Sequence, residues 1–166
     1  MEFRVVQGDI AAQSADALVN AANTSLRMGS GVAGALKRVA GSGLNEEAVA
    51  KGPVELGGVA TTDAYRLDAD YVVHAAAMPP AGEATADSIR SATRNALEAA
   101  DALDCESLVV PALGCGIAGF DFDDGVRIIC AEIDAFDPDS LTDVALIAYE
   151  DREFERMGDV AAEVRS

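Results

Sequence analysis

The chain has 166 residues, 50% of them hydrophobic and 25% charged, with 12 basic against 29 acidic side chains and a formal net charge of −17. That length and composition fit a single globular domain over residues 1–166 and exclude a disordered chain. A surface this acidic repels nucleic acid and anionic lipid, and no apolar run approaches the roughly 20 residues of a membrane span.

The acids are spread along the chain rather than gathered in a tail. Such a balance suits a salt-rich cytoplasm, where the Debye length shrinks to about 3 Å near 1 M salt and self-repulsion is screened. A halophilic host and a cytoplasmic address are therefore the expectations, since the chain opens on a strand-like segment without a signal peptide's pattern. Cys105, Cys115 and Cys130 are odd in number and lack metal-ligand spacing, so free thiols are expected. His74 is the sole histidine, which excludes a multi-histidine metal site. No metal and no redox cofactor is expected.

Strand and helix signals alternate from end to end. Residues 2–6 read as a first strand and 15–20 as a short apolar second. A helical pattern covers 32–39 and resumes over 44–50 after Gly41-Ser42-Gly43. Strands are predicted at 57–62 and 71–77, and Pro79-Pro80-Ala81-Gly82 breaks the chain into a loop. Ile89, Ala92, Thr93, Ala96, Leu97, Ala100 and Leu103 keep the spacing of a half-buried helix. Residues 107–111 form a continuous apolar strand, as expected when both faces of a sheet are covered. Val126, Ile129, Cys130, Ile133 and Phe136 mark the next helix, 143–149 the last strand, and a final helix starts near Glu153. The pattern predicts a three-layer α/β/α domain with a mixed, mostly parallel central sheet.

Two glycine loops stand where an apolar strand gives way to a helical pattern: Gly29-Ser30-Gly31-Val32-Ala33-Gly34 and Gly114-Cys115-Gly116-Ile117-Ala118-Gly119. Glycine lets the backbone turn through positive φ and lets an anion approach the amides, while the following helix presents unsatisfied N–H groups. Each loop read alone is also compatible with a tight turn. Together with Gly8-Asp9-Ile10 and Val19-Asn20-Ala21-Ala22-Asn23, they point to a pocket for a diphosphate-bridged nucleotide. Both loops spell GxGxxG, yet neither closes the first strand, which argues against a dinucleotide dehydrogenase.

Asp9, Asn20, Asn23, Gly31, Gly114 and Tyr149 fall at or just beyond strand carboxyl ends, where ligands gather in open α/β sheets. The Asn20 and Asn23 amides suit ribose hydroxyls or, alternatively, cap turns. Asp9 suits an exocyclic amine or a cap. Tyr149 and Phe120 read as base-stacking or core-closing aromatics. His74 in an apolar strand reads as a hydrogen-bonded core residue before a base, and Cys115 has no basic neighbour in sequence to make it a nucleophile. Asp121, Asp123 and Asp124 are expected to cap the helix after the second loop, close to the proposed diphosphate.

In order and spacing, Gly8-Asp9-Ile10, the Asn-Ala-Ala-Asn element, the first glycine stretch, Tyr71-Val72-Val73-His74-Ala75 and Pro111-Ala112-Leu113-Gly114-Cys115-Gly116-Ile117 resemble the macro domain family, archaeal members included, over nearly the whole chain. The resemblance implies the macro domain fold and a cleft for ADP-ribose. It implies Asp9 on the adenine amino group, the Ile10 amide at the ring, and Tyr149 packed on adenine. It further implies Asn23 at the distal ribose, with Asn20 in the same element. Gly31 and Val32 would face the distal ribose and phosphate, with the amides of Gly114, Cys115, Gly116, Ile117 and Ala118 around the diphosphate.

The implied activity is hydrolysis of ADP-ribosyl esters on acidic side chains or of O-acetyl-ADP-ribose, with Asn23 catalytic. The alternatives are a non-catalytic ADP-ribose-binding module and an ADP-ribose 1″-phosphate phosphatase. Ala33 stands where hydrolytic members often have aspartate, Ala118 where an aromatic is frequent, and Asp121 where proline is common. Ser30 interrupts the usual glycine run. The implied partner is ADP-ribose, an ADP-ribosylated protein or O-acetyl-ADP-ribose, with no nucleic acid and no membrane.

Overall fold

The computed structural model describes residues 1–116 and 119–166. Six strands, β1 (Arg4–Gln7), β2 (Ala17–Asn23), β3 (Val59–Asp63), β4 (Tyr71–Met78), β5 (Ser107–Val110) and β6 (Asp143–Ala148), form one sheet in the order β1-β6-β5-β2-β4-β3. All neighbours pair in parallel except β3, which runs antiparallel to β4 at the edge. Five α-helices among the described residues cover the sheet: α1 (Gly31–Ala40), α2 (Ser42–Lys51), α3 (Ala86–Ala102), α4 (Phe122–Ala135) and α5 (Asp151–Arg165).

The strand interior alternates between two cores. Ala17 and Val19 of β2 join Ile89, Ile129 and Met157 beneath α3, α4 and α5, whereas Leu18 joins Leu36, Ala40 and Leu44 beneath α1 and α2. Period-2 side chains of one strand thus serve both faces, which gives the three-layer α/β/α arrangement with a mixed, mostly parallel sheet. Helix α3 starts where Thr85 and Ser88 form a reciprocal capping box, with Thr85 Oγ1 accepting from Ser88 N at 3.0 Å.

Of the boundaries that differ from the sequence reading, three bear on the site. β2 runs past Asn20 to Asn23, with a register shift between Ala22 and Asn23. α4 begins at Phe122, because Asp121 caps it by accepting from Asp124 N at 3.0 Å. A 3-10 turn over Ile10–Ala12 follows Asp9, whose Oδ1 accepts from Ala11 N at 2.9 Å.

The order of strands also creates a crevice. β2 and β5 are neighbours, yet β2 leads to α1 on one face of the sheet and β5 leads to α4 on the other. Chains leaving adjacent strands in opposite directions part at their carboxyl ends, and that parting is where α/β sheets hold ligands.

Candidate functional site

A cavity of about 400 Å³ opens at this edge, lined among others by Asp9, Ile10, Gly31, Val32, Pro111 and Tyr149. Gly8, Ala35, Arg38 and Ile147 complete the lining. One wall is the turn after β1, the opposite wall is α1, and the floor comes from the ends of β5 and β6. Five of the expected site residues, Asp9, Ile10, Gly31, Val32 and Tyr149, therefore share one cavity.

The turn after β1 offers a matched donor and acceptor. Asp9 Oδ1 is held by Ala11 N, while Oδ2 and the Ile10 N–H have no partner among the described residues. Asp9 thus caps the 3-10 turn with one oxygen and lines the cavity with the other unengaged among the described residues. Ile10 is buried beside it, and Tyr149, at 73% exposure, stands over the cavity as an open aromatic face.

The wall formed by α1 is an unfilled helix start. Ser30 occupies the cap position without making a side-chain cap bond, and the first turn carries no acidic residue. The amides of Gly31, Val32 and Ala33 find no acceptor among the described residues, whereas Gly34 N already bonds Ser30 O at 3.3 Å. Helices α3, α4 and α5 all carry acids in their first turn. Open amides and the positive end of a helix dipole, left unopposed, make this terminus the anion-receptive one on the cavity. Gly31 takes φ +65°, the left-handed region in which glycine is unstrained. Gly34 is required for a different reason: a Cβ there would lie 2.8 Å from Gly29 O.

The second loop is partly used up by its own turn. Cys115 N bonds Ala112 O at 3.3 Å and Gly119 N bonds Gly116 O at 3.3 Å, while the Gly114 and Gly116 amides have no acceptor among the described residues. The expectation of an amide from every residue of this loop is therefore corrected at Cys115, whose N–H closes the turn. Its thiol turns away under α4, donating to Leu113 O at 3.3 Å, and burial pushes its pKa up to about 12. It is an inert core thiol. Ile117 and Ala118, expected around the diphosphate, lie outside the described residues. Phe120 packs on the core, and Asp123 is engaged by Arg156, so part of the acidity near this loop is neutralised.

Asn23 and Asn20 separate sharply. Asn23 Oδ1 accepts from Ser25 N at 2.9 Å and from Ser25 Oγ at 2.5 Å. Since a backbone N–H can only donate, the amide orientation is fixed, and Nδ2 is left without a partner among the described residues. The register shift just before it re-aims the side chain at the strand end, a familiar use of a bulge. Asn20, expected at a ribose, is instead sealed in the core at 1% exposure, with Nδ2 3.0 Å from His74 Nδ1. The cause is parity: Asn20 faces the α1/α2 layer in register with His74, inside the sheet rather than at its rim. His74 Nε2 lies 2.9 Å from Thr62 Oγ1, and burial pushes its pKa down to about 4. It is a neutral structural residue, as an apolar strand setting suggested.

Ala33 is a buried residue of α1 and brings no carboxylate, and among the described residues Asp9 is the one acid lining the cavity. Sequence reasoning missed Ala35 and Arg38, which follow Gly31 at i+4 and i+7 and so share its helix face. It also missed a signal that was legible. No aspartate or glutamate falls between Asp16 and Glu46, nor between Glu106 and Asp121, and these acid-free stretches contain the two glycine loops. Among the described residues no group of three His, Cys, Asp or Glu side chains converges as a metal site. No described helix is long and apolar enough to cross a membrane.

Fold and site define an α/β domain with an amide-lined cleft at a switch between strands. The chain belongs to the Macro domain family, whose model matches residues 19–129. It is 37% identical over 148 residues to an uncharacterized protein of Aquifex aeolicus, covering 89% of this chain and 90% of that one. It is 38% identical over 151 residues to an uncharacterized protein of Mycobacterium tuberculosis, covering 91% of this chain but 42% of the relative, so it spans about two fifths of that protein's length. Among solved structures, the Trypanosoma brucei macrodomain in complex with ADP-ribose superposes with a TM-score of 0.83 at 28% identity, over 93% of this chain and 67% of that one. The Oceanobacillus iheyensis macrodomain with ADP gives a TM-score of 0.86 at 22% identity, over 97% and 90% of the two chains, a likeness of fold.

Proposed function

We propose that this protein binds ADP-ribose in the cavity between α1 and the turn after β1, and slowly hydrolyses ADP-ribosyl esters there. The observation that carries the reading is the uncapped, acid-free start of α1 opening onto a cavity whose far wall offers the free Asp9 oxygen and the Ile10 amide. An adenine amine donates to Asp9 and a ring nitrogen accepts from Ile10. Tyr149 covers the base. The pyrophosphate lies against the amides of Gly31, Val32, Gly114 and Gly116, which need no cation in a chain this acidic. The ADP and ADP-ribose bound to the two related macrodomains support that ligand class.

Asn23 is the catalytic residue of the proposal. Held through Oδ1 by Ser25, its Nδ2 donates to a distal ribose hydroxyl or to a water beside it. Water adds to the ester carbonyl and gives a proton to an oxygen of the ligand's own phosphate. The bond between the acyl carbon and the ribose oxygen then breaks, the phosphate returns the proton to that oxygen, and ADP-ribose and the free carboxylic acid leave. A positioned base contributes about 10²- to 10⁴-fold, and Ala33 supplies none, so turnover is slow. Ala33 is equally the observation that favours the second reading, a binding module without turnover.

Calorimetric titration with ADP-ribose in molar KCl, followed by an assay of release from glutamate-linked ADP-ribosyl protein, tests both. Binding with release that is lost in Asn23→Ala, with folding intact, supports the enzyme. Binding without release selects the module, and no binding removes both.

A further inference from the structure

The residues between Asp16 and Glu46 carry Arg27, Lys37 and Arg38 and no acid, so this one segment is positive within a chain of formal charge −17. None of the three cations takes part in an ion pair among the described residues, although six other basic side chains (Arg4, Lys51, Arg90, Arg94, Arg127, Arg156) do. Arg38 lines the nucleotide cavity, and Arg27 and Lys37 line a separate open groove of about 600 Å³ between α1, α2 and the loop after β2.

The groove is tied through hydrogen bonds to Asn23, the residue proposed at the distal ribose. Asn23 Oδ1 accepts from Ser25 Oγ, and Ser25 Oγ accepts from Arg27 N at 3.2 Å, so a short hydrogen-bonded chain joins Asn23 to the first groove residue. Asn45 Oδ1 accepts from Met28 N at 2.8 Å and ties the loop to α2, which gives the groove a fixed wall. Val49 is an exposed apolar side chain, and among the described residues Glu46 is the single acid on the lining.

We infer that this groove is a docking site for the acidic polypeptide segment that flanks an ADP-ribosylated side chain, with Arg27 and Lys37 reading its carboxylates. The inference rests on the ADP-ribose reading of the neighbouring cavity. A target chain must leave the cavity from the distal ribose, and the groove it meets there carries two cations, Arg27 and Lys37, against one acid, Glu46. Elsewhere the molecule repels an acidic segment. Basic segments are the opposite case, drawn to the rest of the surface and away from the groove.

The experiment compares free ADP-ribose with two glutamate-linked ADP-ribosyl peptides of equal length, one flanked by Asp and Glu and one by Lys and Arg, using Asn23→Ala to prevent turnover. In about 0.5 M KCl the acidic conjugate should bind about fivefold more tightly than the basic one, and the gap should narrow as salt rises. Adding Arg27→Ser and Lys37→Ser should abolish the preference and leave free ADP-ribose unchanged. Arg27→Glu with Lys37→Glu should reverse it. Equal binding of the two conjugates, or a preference that survives both double variants, overturns the inference while ADP-ribose binding stands. Failure of free ADP-ribose to bind overturns the reading beneath it. Circular dichroism in the same buffer shows that each variant is folded.

Discussion

Asn20 and His74 face each other across two paired strands, Nδ2 to Nδ1 at 3.0 Å, with both side chains closed off from solvent. Because Asn20 Nδ2 can only donate, His74 Nδ1 accepts, and the ring proton sits on Nε2, directed at Thr62 Oγ1. The chain continues from Thr62 Oγ1 to Asp63 O at 3.0 Å. A site motif thus begins with a residue that belongs to the core, and it pins β2 to β4 and β3 just before the strand end that carries Asn23.

That pair makes stability depend on pH. Burial lowers the His74 pKa from 6.5 to about 4, so between those values the unfolded chain binds the proton and the folded one does not. Stability is therefore full above about pH 6.5 and falls as pH drops toward 4, by about 3 kcal/mol from this residue alone. His74→Gln removes the titration. Urea unfolding at a series of pH values should show a flatter acid limb for the variant, and an unchanged slope would contradict the assignment.

Ser30→Asp sets stability against binding. A carboxylate at the empty cap position satisfies the open amides and meets the helix dipole, adding about 0.5–1 kcal/mol to stability. The same carboxylate occupies the amides offered to pyrophosphate. Affinity for ADP-ribose should fall at least tenfold while the melting temperature rises; unchanged affinity would mean that the ligand does not use this terminus.

Gly34→Ala tests the close approach of α1 to the first loop. Its Cβ would lie 2.8 Å from Gly29 O, a backbone atom that cannot step aside without moving the loop. The change should weaken ADP-ribose several-fold. Gly31→Ala meets no atom within 4 Å and costs about 1 kcal/mol through its φ of +65° instead. Calorimetry on both variants separates displacement from backbone strain.

Asp9→Asn keeps an oxygen for Ala11 N, preserving the turn, but puts an amide in place of the free carboxylate oxygen. Asp9→Ala removes both. Either should weaken ADP-ribose far more than ribose 5-phosphate, by about 1.5–3 kcal/mol for loss of a hydrogen bond to a charged group. Equal losses for the two ligands would place adenine elsewhere.

Much of this was legible in the sequence because the elements obey period and punctuation. The apolar run at 107–111 and the spacing from Ile89 to Leu103 correspond to β5 and α3. The glycine loops lie at the carboxyl ends of adjacent strands, β2 and β5. What escaped depends on rotation and register. Whether Asn20 or Asn23 reaches the rim turns on strand parity and a one-residue shift before Asn23, neither of which composition reveals. Arg38 enters the cavity only through the angle at which α1 lies. Cys115 looked open in its loop, yet its thiol sits where a Cβ on Gly125 would clash, buried beneath α4.

The most direct measurement is an amide-resolved NMR titration with ADP-ribose in molar KCl. Main-chain capture of the pyrophosphate predicts saturable shifts at Gly31, Val32, Gly114 and Gly116, with Cys115 N–H, already bonded to Ala112 O, moving little. Saturable binding that leaves those four amides unmoved, or shifts centred instead on basic side chains, would contradict it.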